Sequence, residues 1–297
     1  MTFTGELAAI GTAMAFAATS TIFTLSGREI GSAVVNRTRL LMACCIILVI
    51  HYIAFGQFLP IDADGASWRW LALSGLIGLA LGDACLFQAF VMIGARLSML
   101  IMALAPILST IMAWIFMGER LNAQQLAGIA LTVGGIIWVV AEKKNNGQAT
   151  KSPLGIGLLF AFGGAIGQAA GLVTAKSGLA DGLPTFSGLL IRMLAATITI
   201  WVFTVSRGQT SAGFYKIAQN PRVVWLLLAG VIIGPVGGVW LSLVAVDNAP
   251  LGVASTLMAL TPIFLLPIAY IVFHERFGHQ TIAGTAVAFM GTALLFL

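Results

Sequence analysis

The chain has 297 residues, of which 59% are hydrophobic and only 8% are charged, and its formal net charge is +5. Its mean hydropathy of +1.02 lies far above that of water-soluble domains. Apolar runs long enough to cross a hydrocarbon core of ~30 Å recur along the whole sequence, which indicates an integral membrane protein. The positive charges are scattered over the ends of these runs and form no basic groove, so no nucleic-acid partner is expected.

Ten membrane-spanning helices are predicted in chain order. The apolar runs are continuous, which favours helices over the alternating strands of a membrane barrel. A polar linker at 142–152 separates two halves of five spans each, at 1–141 and 153–297. The predicted fold is an all-α membrane protein built from two five-helix repeats, with spans at 6–24, 34–55, 70–91, 96–117, 123–141, 154–175, 185–205, 223–245, 250–273 and 279–297.

The second half of the sequence repeats the first. A stretch that begins at Ala72 aligns without a gap, at an offset of 156 residues, with a stretch that ends at Leu295. Because each half holds an odd number of spans, the second half must enter the bilayer upside down. Inverted repeats are how many secondary transporters place two alternately opening gates around one central site. Two aligned segments carry the repeat most clearly: 102–107 (MALAPI) with 258–263 (MALTPI), and 118–121 (GERL) with 274–277 (HERF).

Three motifs occur in the same order in both halves. An arginine lies early in the second span of each half, Ala-Leu-x-Pro lies in the fourth, and Glu-Arg ends the fourth. This arrangement resembles the EamA family of the drug/metabolite transporter superfamily. The resemblance implies a ten-helix fold whose central cavity is lined by spans 1–4 and 6–9, with spans 5 and 10 at the periphery.

The membrane orientation has two conflicting indications. Basic residues are concentrated in the odd-numbered loops, and the positive-inside rule then places both termini outside the cytoplasm. The family resemblance implies both termini inside it. The expected location is the cell (inner) membrane, as a multi-pass protein, under either orientation.

A carboxylate, Asp83, falls near the middle of the third predicted span. A charged group there costs roughly 2.5–3.5 kcal/mol on insertion scales, so it normally faces a watery cavity or pairs with a cation. Two interpretations stay open. Asp83 is either a site for proton coupling or a substrate amine, or a structural ion pair or protonated acid within the bundle. Its repeat partner is Val239, which confines either role to one half.

Two arginines, Arg39 and Arg192, occupy equivalent positions about one turn inside spans 2 and 7. Because the halves are inverted, we expect them to approach the cavity from opposite faces. Their planar guanidinium groups suit gate residues or anion anchors. The alternative is that each snorkels to the nearest interface and fixes a helix end there.

Other residues within the spans complete the set of candidates. Gln88, Gln168 and Trp240 are either substrate contacts or packing residues. Pro106 and Pro262 interrupt spans 4 and 9, where each removes a backbone donor and frees a carbonyl. Matched kinks of this kind serve either as hinges of a gate or as static packing features.

The leading hypothesis is a secondary active transporter of small metabolites, amino-acid-like or otherwise polar or amphipathic. It would export or exchange its substrate by alternating access as a monomer, with protons as one possible coupling ion. A passive facilitator or channel of the same fold is the first alternative. A membrane-embedded enzyme is disfavoured, because the three histidines near span ends lack a carboxylate partner at ligand spacing: His51, His274 and His279. No cofactor or metal is expected, since the three cysteines lie within spans and show no ligand spacing.

Overall fold

Apolar runs of this length become helices because, without water, every backbone polar group must be bonded within its own segment. The computed structural model describes residues 3–117, 122–145, 154–179, 182–208, 215–217, 219–273 and 278–294. The described residues of each predicted span are helical, apart from short breaks in spans 4 and 9 and Pro250 at the start of span 9. The helices are α1 (Thr4–Ile30), α2 (Ser32–Phe55), α3 (Gly65–Ile93), α4 (Ala95–Met102 and Ala105–Met117), α5 (Ala123–Asn145), α6 (Leu154–Gly178), α7 (Thr185–Ser206), α8 (Pro221–Asn248), α9 (Leu251–Met258 and Thr261–Phe273) and α10 (His279–Leu294).

Within the described ranges, nine of these helices are long and apolar enough to cross a bilayer. The tenth, α10, has 16 described residues and packs along α5. The fold is therefore the predicted ten-helix membrane bundle.

Several helices follow one another almost without a loop. Gly31 alone joins α1 to α2, and Gly94 alone joins α3 to α4. Their φ angles of 95° and 87° lie in the region that only glycine adopts without strain. Each glycine amide still donates to the carbonyl four residues back, at 3.0 Å and 3.1 Å. These two glycines let the chain reverse while its backbone stays hydrogen-bonded.

The start of α3 is capped by a side chain outside the membrane-spanning segment. Asp64 accepts hydrogen bonds from the amides of Ala66 and Ser67, both at 3.0 Å. Hydrogen bonding from the Ser67 side chain, and then from these amides, holds the pKa of Asp64 below its ordinary value. The ionised carboxylate thus fixes where the helix begins.

The backbone irregularities repeat with the sequence. The helix widens into π-helical turns at Gly75–Gly82 in α3 and at Ile232–Gly238 in α8. Both α4 and α9 are broken, after Met102 and after Met258. These pairs stand in the register of the sequence repeat, so the repeat extends to the local deformations of the helices.

The two halves interlock across a pseudo-two-fold axis. Three pairs of equivalent helices pack against each other, α2 with α7, α4 with α9 and α5 with α10. The most extensive of the other contacts also join the two halves, with α1 against α8 and α6 against α3. This is the pattern of an inverted repeat, and it places one cavity on the axis.

Glycine faces allow α3 and α6 to approach closely. A Cβ on Gly167 would lie only 2.5 Å from the Cα of Gly82, and one on Gly171 would lie 3.0 Å from the Cα of Gly78. Ser74 donates its hydroxyl proton to the carbonyl of Gly171 at the same contact. Small-residue faces of this type bring membrane helices to backbone contact.

Two predicted features lie outside the described residues. These are the Glu-Arg ends of spans 4 and 9, at 119–120 and 275–276, and most of the predicted linker, at 146–153. The proposed division into 1–141, 142–152 and 153–297 therefore stays a prediction.

Candidate functional site

A central cavity lies between the two halves. Its empty volume is about 630 Å³, part of which is open to solvent, and its walls come from α1, α2, α3, α4, α6, α7 and α8. A second space of about 510 Å³ adjoins it and adds residues of α9. Among the described residues that line either space, none comes from α5 or α10. The two spaces are neighbours that share five lining residues: Phe16, Met99, Met102, Gln168 and Leu172.

A buried ion pair stands in the wall of the cavity. Asp83 follows directly after the π-helical turns of α3 and pairs through Oδ2 with Nη2 of Arg39 on α2. The side chains of Arg39 and Asp83 are only 3% and 16% exposed. Burial makes this pair costly to break, because a charge left alone there has no water to solvate it.

The guanidinium of Arg39 is held on every side. Its Nε donates to Oδ1 of Asn36 at 3.1 Å, and its Nη2 also reaches the carbonyl of Leu79 at 3.4 Å. The rings of Phe87 and Phe23 have their centres 4.6 Å and 6.0 Å from its Cζ. Arg39 is thus fixed in place and has its hydrogen-bonding capacity largely used.

The second arginine lines the same cavity but has fewer hydrogen-bond partners. Arg192 of α7 is 3% exposed, and its Nε and Nη1 are buried without a hydrogen-bond partner among the described residues. Asp83 acts on it electrostatically but bonds to Arg39. The repeat-equivalent arginines therefore converge on one carboxylate, with one of them paired and the other not.

The charges of the cavity do not cancel. Its described lining residues include two guanidinium groups and one carboxylate, from Arg39, Arg192 and Asp83. The ion pair neutralises two of these three charges, so the cavity keeps an excess of one positive charge. An electropositive cavity attracts anionic solutes.

The rest of the wall is mainly apolar. One side combines aromatic rings with flexible thioethers, which suit the apolar body of a small molecule. Phe87 and Phe90 follow Asp83 on the same face of α3, at helical spacings of four and seven residues. The apolar side is formed by Phe16, Phe23, Phe87, Phe90, Met99 and Met102.

The structure brings four of the six predicted polar or aromatic candidates together. Arg39, Asp83, Gln168 and Arg192 all line the central cavity. Among these, Gln168 belongs to α6 and lines both spaces. The central position of Gln168 makes it a polar group within reach of any occupant.

The other two candidates make contacts elsewhere. Gln88 accepts a hydrogen bond from the hydroxyl of Ser32, which joins α3 to α2. Trp240 is 39% exposed, and its Nε1 donates to Oγ1 of Thr185 at 3.3 Å. Neither is among the described residues that line the two spaces.

Both predicted prolines line the second space beside the helix breaks. Pro106 and Pro262 are each the second residue of the distal segment of their helix. Pro262 cannot donate to the carbonyl of Met258, and Oγ1 of Thr261 donates to that carbonyl instead, at 2.7 Å. The breaks thus place two irregular backbone segments against the cavity, where such backbone is tolerated within a membrane.

The sequence prediction omitted the aromatic wall, because none of Phe16, Phe23, Phe87 and Phe90 was among the candidates. The positions of Phe87 and Phe90 relative to Asp83 place these two rings and the carboxylate on one face of α3. Helical spacing from Asp83 is the signal that would have found Phe87 and Phe90.

The fold and the cavity define a class of ten-helix membrane proteins with inverted halves around one central site. The family model described as EamA-like transporter family matches residues 3–141 and 155–297. The chain belongs to the EamA-like transporter family, a family of membrane transporters of small molecules.

One solved structure shares the fold over nearly its full length. Described as "Crystal structure of protein", it is 15% identical to this chain with a TM-score of 0.66. The alignment covers 100% of this chain and 97% of that one. Comparison with curated protein sequences gives no match.

Proposed function

We propose that the protein is a secondary active transporter that exports or exchanges small amphipathic metabolites, with amino-acid-like solutes as the first class to test. The observation that carries this proposal is the position of the charged residues. Arg39 and Asp83 come from one half and Arg192 from the other, and all three line the cavity on the pseudo-two-fold axis. A site built from both inverted halves changes its exposure when the halves rock against each other.

The paired proline breaks support alternating access. Each break lies beside the cavity and removes one helical hydrogen bond, so bending at this point costs less than elsewhere in α4 or α9. The breaks stand at equivalent positions of inverted repeats. We assign the one in α4 to a gate on one side of the membrane and the one in α9 to a gate on the other.

Asp83 is the residue we propose for proton coupling. Protonation of its carboxylate would release Arg39 from the ion pair and change the charge of the cavity by one unit. Such a change alters the affinity for a charged substrate, and coupling of this kind is reciprocal by linkage. A structural ion pair remains the competing interpretation of the same contact.

Transport in proteoliposomes separates these two interpretations. A pH gradient should accelerate flux through the wild-type protein, and Asp83→Asn should abolish the acceleration. Asp247→Asn is the matched control, because that residue is an exposed aspartate near the end of α8. If Asp83→Asn keeps the response to pH, Asp83 is structural and the coupling proposal fails.

Substrates can be found by thermal stabilisation of the purified protein. A ligand that binds the folded state raises Tm by mass action. Amino acids, amines and nucleosides are the first panel. Stabilisation by members of one chemical class, followed by saturable flux of the same compounds, is the expected result.

One buried contact between a histidine and a serine bears on the alternative of a membrane enzyme. His51 of α2 contacts Oγ of Ser187 of α7 through Nε2 at 3.0 Å and the carbonyl of Gln57 through Nδ1 at 2.7 Å. Both side chains are buried, and neither is among the described residues lining the cavity. We interpret this contact as a structural tie between α2 and α7.

A further inference from the structure

The side chain of Arg192 is buried without the partners that a buried arginine needs. Two of its nitrogens, Nε and Nη1, have no acceptor among the described residues. A buried donor without an acceptor costs free energy, and a buried charge without a counter-ion costs more. Such groups are rare in native proteins, and each calls for a specific explanation, such as a functional role or a bound water or ion.

Arg39 shows what a satisfied arginine looks like in the same cavity. It has an amide oxygen, a backbone carbonyl and the carboxylate of Asp83 as acceptors. Asp83 bonds to Arg39 through Oδ2, and no described residue accepts a hydrogen bond from Nε or Nη1 of Arg192. The contrast is informative because the two arginines are equivalent in the repeat.

The neighbours of the Arg192 guanidinium include residues without side-chain acceptors. Its Nη2 lies against Gly78, where a Cβ would be 3.6 Å away, at ordinary contact distance. Arg192 lines the central cavity together with Gly234 and Pro235 of α8, which carry no side-chain acceptor either. These three neighbours thus offer the guanidinium no side-chain acceptor.

We propose that Arg192 is a carboxylate subsite and that the substrate is an amphipathic organic monoanion. Its carboxylate would accept hydrogen bonds from the planar guanidinium, which matches a carboxylate in geometry and charge. Its apolar body would lie against the aromatic and thioether wall that includes Phe87 and Met102. The single excess positive charge of the cavity selects a monoanion over a dianion or a cation. This inference rests on the proposed function and narrows its substrate class.

A matched set of small molecules tests the subsite on the full-length protein. The set keeps one phenylethyl body and varies the polar group: 3-phenylpropanoate, 3-phenylpropanamide, 3-phenylpropylamine and 2-phenylethyl phosphate, with phenylalanine as the zwitterion. We expect 3-phenylpropanoate to raise Tm by about 2–4 °C or more at saturation and the amide and amine to leave it unchanged. Equal stabilisation by the amide, stronger stabilisation by the dianion or the zwitterion, or none by the carboxylate overturns the proposal.

Variants assign the effect to Arg192. We expect Arg192→Gln to weaken binding of 3-phenylpropanoate by at least about tenfold, and Arg192→Lys to retain part of it. Arg69→Gln is the control, because Arg69 is an exposed arginine that lies outside the described cavity lining. Unchanged affinity in Arg192→Gln contradicts the assignment. If that variant does not fold, the comparison between carboxylate and amide on Arg192→Lys decides the question.

A ligand-free measurement provides an independent readout. Because the guanidinium of Arg192 lacks partners, Arg192→Met should leave Tm unchanged or raise it, whereas Arg39→Met should lower it. A lower Tm in Arg192→Met would show a structural role. Binding of 3-phenylpropanoate without flux in proteoliposomes would refute the proposed transport and leave the carboxylate subsite standing. Flux of uncharged solutes, with no effect of a carboxylate on binding, would refute the subsite and leave the proposed transport standing.

Discussion

Removing one member of the Arg39–Asp83 pair should destabilise the protein strongly. The two side chains are 3% and 16% exposed, so the remaining charge would stay largely out of water. Breaking a buried pair in this way costs about 3–5 kcal/mol. Asp83→Leu and Arg39→Met should each fall in this range. Asp83→Asn keeps an acceptor for the guanidinium, and its cost should drop to about 1–3 kcal/mol.

The double variant Arg39→Met/Asp83→Leu measures the interaction itself. Replacing both charges by apolar groups leaves neither member of the pair behind as a buried unpaired charge, so the double variant should be more stable than the sum of the single effects predicts. Reversible unfolding in mixed micelles, followed by tryptophan fluorescence, gives the four free energies of the cycle.

The size of the coupling decides between an ion pair and a weaker contact. A neutral hydrogen bond between membrane helices averages only ~0.6 kcal/mol in such cycles. We expect a coupling of about 2 kcal/mol or more for the charged pair. A coupling near ~0.6 kcal/mol, or single effects that simply add, would refute the reasoning, because the carboxylate would then not be ionised against Arg39.

Three further predictions concern the scaffold. Gly167→Ala should lower the free energy of unfolding by about 1–3 kcal/mol, because the added Cβ would overlap the facing helix. Gly155→Ala on the same helix places its Cβ in open space, so it should be neutral or stabilising in the same unfolding assay. Thr261→Val should cost about 1 kcal/mol, because the carbonyl of Met258 loses its donor, while Thr261→Ser should preserve stability. Asp64→Ala should lower Tm at neutral pH. Folding lowers the pKa of Asp64, so the stability that the carboxylate adds is present above its unfolded pKa and is lost as pH falls through its folded pKa. The Tm values of wild type and Asp64→Ala should therefore converge in acid. A Tm difference that stays constant with pH would contradict this linkage.

The sequence predicted the architecture well because its main signals are strong. Continuous apolar runs locate the spans, and a gap-free repeat with an odd number of spans gives the inverted topology. The prolines at 106 and 262 indicated the breaks in α4 and α9, which the structure places just before them. The cost of a charge within the membrane singled out Asp83, and the repeat singled out Arg39 and Arg192. All three line one cavity.

Which individual side chains point into the cavity could not be predicted in the same way. Helices that are apolar all round give no pattern from which the inward face can be read. In α3, Gln88 comes five residues after Asp83 in a regular α-helical segment, so it lies off the face that carries Asp83, Phe87 and Phe90. In α8, Trp240 directly follows Val239, which lines the cavity, and so lies on a different face of the helix.

The pairing of Asp83 with Arg39 rather than Arg192 was also beyond the sequence. The two arginines are equivalent in the repeat, but the residue three positions before Arg39 is Asn36, whereas the residue three before Arg192 is Leu189. Asn36 orients the guanidinium of Arg39 from within α2, and the carbonyl of Leu79 does so from α3. The contact with Leu79 and the approach of Asp83 are contacts between helices. Such contacts depend on the packed bundle and leave no periodic trace in the sequence.

Counterflow in proteoliposomes tests alternating access most directly. Vesicles loaded with unlabelled 3-phenylpropanoate, or with another ligand found by thermal stabilisation, are diluted into a trace of the labelled compound. A carrier that exposes one site to each side in turn should accumulate the label transiently above equilibrium, and the initial rate should saturate with concentration. Simple equilibration without an overshoot, at a rate that rises linearly with concentration, would show a passive pore and contradict the account.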